Sequence, residues 1–286
     1  MFEIILFWLF LGLVAFVAGI YSRVAGMSFG LVLVVGLYSL KSLMPVNDIT
    51  TVLPIVLATS LAACVPINLL YLIQAATSKR IDIDFVSKTA TVVTLVAIIS
   101  AQLVGILPVI YVQVLFLIMM SVYCVYYLMP TELLGWIKIK LQANIISKAR
   151  LILLGVLPVV SGTEGKEINS LFFSENVKSN LSSGSYSTVA FFVSFSACIG
   201  FVFPAFPIEN VLFYQETDIK SLDFNLANVR IGYIDVPIAL YLSFIGFLGL
   251  FFVRDHKNEV DSVLMEKVFS FFLLGVLIKD YFLLLL

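Results

Sequence analysis

Apolar residues run along this chain in long unbroken blocks, each closed by a short cluster of charge, glycine or proline. The blocks at 4–22, 26–43, 53–75, 89–107, 109–129, 184–206, 231–253 and 263–286 are each about 18 residues or more, long enough as helices to cross a hydrocarbon core of roughly 30 Å. Their polarity does not alternate, so they predict helices and not the strands of a barrel. Pro108 turns the 89–107 block directly into 109–129, a tight helical hairpin. Leu151–Val160 and Ile168–Asn180 are too short to cross alone.

Two interruptions stand out. Ser161-Gly162-Thr163-Glu164-Gly165-Lys166-Glu167 places three charges and two glycines between apolar runs, and Ala18 to Gly30 punctuates an apolar segment with glycines around one cation, Arg23. Both read as helix breaks of one kind.

Composition turns these blocks into a membrane protein. The 286 residues are 61% hydrophobic and 12% charged, and the mean hydropathy is +1.10; so few polar groups cannot cover a soluble surface. Met1-Phe2-Glu3-Ile4 lacks a basic n-region, so the first block is expected to be retained as structure. Cys64, Cys124 and Cys198 lie inside apolar runs without metal-ligand spacing and read as small buried hydrophobes. His256 sits among Arg254, Asp255 and Lys257 as part of a solvated face, poor material for catalysis. No catalytic residue, metal or cofactor is expected, and no nucleic-acid partner.

Lysine and arginine mark cytoplasmic loops. They place 76–88, the amphipathic stretch 130–150 with Lys138, Lys140, Lys148 and Arg150, and 254–257 inside, and leave the acidic 207–230 loop outside. These assignments agree only if 151–181 enters and returns to the same side, turning at the Glu164–Glu167 break. The same parity makes 4–43 a pair beginning and ending outside. The expected fold is an all-α polytopic membrane protein of two inverted repeats, each a re-entrant or hairpin helix pair plus three transmembrane helices. Its divisions are 1–129, the cytoplasmic linker 130–150, and 151–286. Inverted repeats of this kind place a transport site near the bilayer midplane.

A charge at that depth costs on the order of 3 kcal/mol and is normally paired and functional. Lys166 between Glu164 and Glu167 is the leading candidate for holding an anion. A break that starts a helix adds free N–H donors and about half a positive charge, and Gly26, Gly30, Gly162 and Gly165 let backbone approach a ligand. Ser28, Thr59-Ser60, Ser185 and Ser187 add hydroxyls. Glu164 or Glu167 is the candidate for proton coupling. Read alone, the hydroxyls bond their own helices, Gly232, Gly246, Gly249 and Gly275 serve helix packing, and the 25 Phe and 12 Tyr are lipid-facing and interfacial.

The pattern small-Gly-x-x-Ser-x-x-x-Gly-x-x-x-Gly at Ala18–Gly30, followed by Ala58-Thr59-Ser60-Leu61, resembles the repeat of the TauE/SafE sulfite exporter family, also called the toluene sulfonate uptake permease family. A second copy, Ser161-Gly162-x-x-Gly165 followed by Ser185-Tyr186-Ser187-Thr188, is similar, with Lys166 and Glu167 where that family has glycines. The spacing from Gly26 to Thr59 is longer than that from Gly165 to Ser187, so the second hairpin is expected to be truncated. The resemblance implies alternating-access transport of a small anion, such as sulfite, an organosulfonate or a related carboxylate, across a bacterial inner membrane. The lipid bilayer is the one other partner expected, and self-association is allowed for. The rival readings are an accessory or structural subunit of a membrane complex and a membrane-embedded enzyme acting on lipid-linked glycan.

Overall fold

The computed structural model describes residues 2–40, 49–129, 133, 135, 147–173, 182–203, 230–253 and 261–285. Among them the chain is nearly all helix: α1 (Phe2–Val24), α2 (Phe29–Ser39), α3 (Ile49–Thr77), α4 (Ile83–Ile106), α5 (Val109–Leu128), α6 (Ser147–Ser161), α7 (Lys166–Phe173), α8 (Ser182–Val202), α9 (Val236–Phe252) and α10 (Ser262–Leu285). Helices α1, α3, α4, α5 and α8 are long and apolar enough to cross a membrane. Helices suit that setting because each satisfies its own backbone where no water can.

Both breaks fold their helices back. A Cβ on Gly36 of α2 would run into Val14 of α1, and Arg150 of α6 donates through Nη1 to the Phe172 carbonyl of α7 at 3.3 Å. The returning limb of the first break is short. Helix α2 has 11 residues, so at 1.5 Å per residue it spans about 16 Å, about half a hydrocarbon core. The block at 26–43 therefore does not form one long helix. Gly26 takes a left-handed φ of +69° and Ser28 is extended, so helix starts only at Phe29.

Two other boundaries move for local reasons. The Asp82 carboxylate accepts the Phe85 N–H at 3.1 Å, an N-cap that starts α4 at Ile83 and not near 89. The block at 231–253 opens as a small antiparallel hairpin, Arg230–Ile231 against Ile234–Asp235, turning at Gly232 with φ +60°. Asp235 then caps α9 by accepting the Ile238 N–H at 3.2 Å. Gly232 is thus a turn residue as well as a packing position, since a Cβ there would also strike the Phe201 carbonyl of α8. The linker 130–150 lies mostly outside the described residues. So do the 207–230 loop up to Arg230, the 254–257 loop with His256, and the 174–180 end of the second hairpin.

Helix α3 is the most enclosed of the long helices, 72% of its span being buried, and it packs against α8, α9 and α2. Helix α4 lies between α8 and α6, while α1 packs on α9. Glycines bring these pairs close, since in lipid van der Waals packing replaces the hydrophobic drive between helices. A Cβ on Gly19 would strike the Gly246 carbonyl, one on Gly249 the Phe16 carbonyl, and one on Gly155 would lie 2.6 Å from Val96. Gly275, by contrast, has nothing within 4 Å of such an atom. Outward faces of α4, α5 and α10 carry exposed Ile99, Leu103, Ile118, Phe271, Phe272 and Phe282, a surface that suits acyl chains.

Candidate functional site

The two hairpin tips meet inside the protein. Gly162 and Gly165 hold φ of +66° and +77°, conformations that only glycine enters freely. They aim the carboxylates of Glu164 and Glu167 at the start of α2. Glu164 accepts the Phe29 N–H on Oε1 at 2.8 Å and the Gly30 N–H on Oε2 at 2.7 Å. Glu167 accepts the Ser28 N–H on Oε1 at 2.7 Å. The first N–H groups of a helix lack partners within it and draw negative charge. Here residues some 135 positions away in the chain fill them. The approach needs Gly30, because a Cβ there would stand 2.5 Å from Glu164 Oε2.

Lys166 closes the charge arrangement. Its ammonium lies 3.5 Å from Glu164 Oε1, with 14% of the side chain exposed against none for Glu164, and it sits 4.5 Å from the centroid of the Tyr71 ring on α3. From α5, Tyr127 donates its hydroxyl to Glu167 Oε1 at 2.6 Å. One turn earlier, Tyr123 shares hydrogen bonds with Ser161 and Thr163 at 3.4 and 3.0 Å. These tyrosines are not lipid-facing; they brace the second tip.

The hydroxyls divide into fasteners and lining. Ser60 donates to the Gly162 carbonyl at 2.8 Å, tying α3 to the second tip. Thr59 Oγ1 accepts the N–H of Asp235, the cap of α9, at 3.2 Å, and Ser185 of α8 accepts the N–H of Asp82, the cap of α4, at 2.8 Å. The two links mirror each other: a hydroxyl of one long helix receives the N–H of the aspartate that starts a helix in the opposite half. Ser187 bonds back to the Ser183 carbonyl at 3.0 Å, as its helix alone would dictate.

Beside the tips lies a cavity of about 390 Å³. Of the residues singled out in the sequence, Gly26, Lys166, Glu167 and Ser187 border it; Ser28, Gly30, Thr59, Ser60, Gly162, Glu164, Gly165 and Ser185 do not. Ser22, Tyr71, Tyr127, Tyr186 and Glu266 complete much of the polar wall. Glu167 also holds a buried oxygen, Oε2, that has no hydrogen-bond partner among the described residues. Among the described residues no grouping of His, Cys, Asp and Glu fits a metal ion, and Cys64, Cys124 and Cys198 are free.

The family model described as Sulfite exporter TauE/SafE matches residues 11–279. The chain belongs to the TauE/SafE sulfite exporter family. It is a multi-pass membrane protein of a transporter family, of the sulfite or anion exporter type. The matched stretch takes in both hairpin tips and the cavity between them. No curated protein matches the chain, and no solved structure matches it.

Several residues of this TauE/SafE protein that shape the site carry no motif. Tyr71, Tyr123 and Tyr127 sit in apolar helices where their hydroxyls are indistinguishable from interfacial aromatics. The aspartate caps did leave a trace: Arg80-Ile81-Asp82 and Arg230-Ile231, closing on Ile234-Asp235, repeat one local pattern in the two halves.

Proposed function

We propose that this protein is a secondary transporter of a small oxyanion, such as sulfite, an organosulfonate or a related carboxylate, working by alternating access in a bacterial inner membrane. The observation that carries the reading is Lys166, a nearly buried ammonium bordering a hydroxyl-lined cavity where two helical hairpins meet tip to tip. Such half-helix ends beside a cavity are where transporters place ionic ligands.

Charge decides what must accompany the anion. Lys166 is matched by Glu164, so Glu167 and Glu266 leave the cavity wall negative when both are ionised. An incoming anion is repelled by them at short range, where screening is weak. Protonation of Glu167 removes one of these charges from the cavity wall, and its second carboxylate oxygen, Oε2, is buried without a hydrogen-bond partner among the described residues, free to carry the proton. Glu167 is therefore the coupling residue, whereas both Glu164 oxygens are held by backbone. The mirrored links Thr59–Asp235 and Ser185–Asp82 support two repeats of opposed orientation, divided by the linker at 130–150.

Flux of labelled sulfite into proteoliposomes tests the reading. Lys166→Gln is expected to lower flux at least about tenfold, the worth of about 1.4 kcal/mol, and Lys166→Arg to restore part of it. Wild-type flux in Lys166→Gln would end the proposal.

A further inference from the structure

A second cavity, of about 240 Å³, opens on the other side of Tyr71. Arg23 at the end of α1 lines it, with Gln74 of α3 and an apolar floor that includes Leu70, Phe247 and Leu250. Arg23 has no ion pair among the described residues, so a guanidinium suited to bidentate oxyanion binding is presented without a carboxylate to neutralise it. Gln74 adds an amide donor.

Tyr71 belongs to both cavities. One face of its ring carries the Lys166 ammonium, and its hydroxyl is hydrogen-bonded to Ser22 Oγ at 3.2 Å. Ser22 borders the Lys166 cavity while its neighbour Arg23 borders the other. Tyr71 is the side chain that the two cavities share. The surrounding frame is stiff, because α1 and α9 touch backbone to backbone at Gly19 and Gly246. A passage between the cavities thus opens by rotation of Tyr71 more readily than by separating helices.

We propose that Arg23 and Gln74 form an outer oxyanion station in series with the Lys166 cavity, and that Tyr71, latched to Ser22, is the door between them. This rests on the anion-transport reading and adds a second binding site and a gate to it. An anion captured at Arg23 moves to Lys166 when the Tyr71–Ser22 bond opens.

Sulfite is the probe, used on the full chain in vesicles of phosphatidylcholine alone and with phosphatidylglycerol added. Arg23→Gln is expected to raise the KM for flux about tenfold in neutral vesicles, as loss of one charge-assisted contact would. Tyr71→Phe, which keeps the ring beneath Lys166 but removes the latch, is expected to raise the maximal rate several-fold. Sulfite should still stabilise Lys166→Gln against thermal unfolding, and the double variant Lys166→Gln/Arg23→Gln should lose that stabilisation. An unchanged KM in Arg23→Gln overturns the station, and so does a defect seen only with phosphatidylglycerol, which would assign Arg23 to a lipid headgroup. If wild type carries no sulfite, the transport reading fails separately, and the stabilisation of Lys166→Gln still decides whether Arg23 binds the anion.

Discussion

Replacing Glu164 by alanine probes the contact on which the joined tips depend. The carboxylate is fully buried and satisfies two backbone donors, at Phe29 and Gly30, besides pairing with Lys166. Without it both N–H groups are stranded, each at about 1–3 kcal/mol, and a cation exposed by only 14% loses its partner. These terms overlap, so the expected loss is about 3–6 kcal/mol. Hydrogen bonds between membrane helices average nearer 0.6 kcal/mol, because partners are also found in the unfolded state; three at that rate give only about 2 kcal/mol. The larger figure is favoured because stranded donors and an unpaired buried charge cost more than an exchanged bond. Glu164→Gln keeps one acceptor and turns an amide N–H against a backbone N–H, for about 2–3 kcal/mol. Unfolding of purified protein by titration with SDS ranks the three. A loss below about 1 kcal/mol for Glu164→Ala would refute the view that this side chain holds the hairpins together.

Three further outcomes are expected. Flux should rise as pH falls, since protonation of Glu167 removes a charge from the cavity wall, and Glu167→Gln should flatten that dependence; an unaltered pH profile in the variant would dismiss the coupling role. Gly162→Ala should cost about 2–4 kcal/mol in the same SDS titration, because the residue holds φ +66° and its new Cβ would meet Val34, Leu57 and Ser60 at 2.8–2.9 Å. Cysteines placed as Lys140→Cys and Lys220→Cys should react with a membrane-impermeant reagent from opposite faces, and reaction from one face would remove the inverted-repeat topology.

The sequence made the breaks legible because glycine leaves a local mark. Gly26, Gly162 and Gly165 all take positive φ, and the charges beside them lie where the hairpins turn. What it could not disclose was who occupies the start of α2. The free donors there implied a bound anion, yet Glu164 and Glu167 fill them, and a contact across some 135 residues has no periodicity to betray it. The same distance hid the roles of Thr59 and Ser185, read as lining and found as fasteners. The opening of α9 was misread for another reason. Arg230-Ile231-Gly232-Tyr233-Ile234-Asp235 is apolar enough to merge with the helix that follows, although its central glycine and flanking β-branched residues carry the signature of a tight hairpin.

The exchanged aspartate links bear on how the protein is made. The cap of α4 is fastened to a serine of α8, and the cap of α9 to a threonine of α3. Each aspartate caps its own helix, but its own N–H finds its partner only on a helix of the other half. During synthesis the first five helices would enter the membrane with Asp82 still lacking Ser185, and Thr59 would await a partner that emerges about 175 residues later. These two contacts can form only after α8 and α9 have arrived. A chain truncated between the halves is left with an unfinished surface for quality control to recognise, and not with a usable half-transporter.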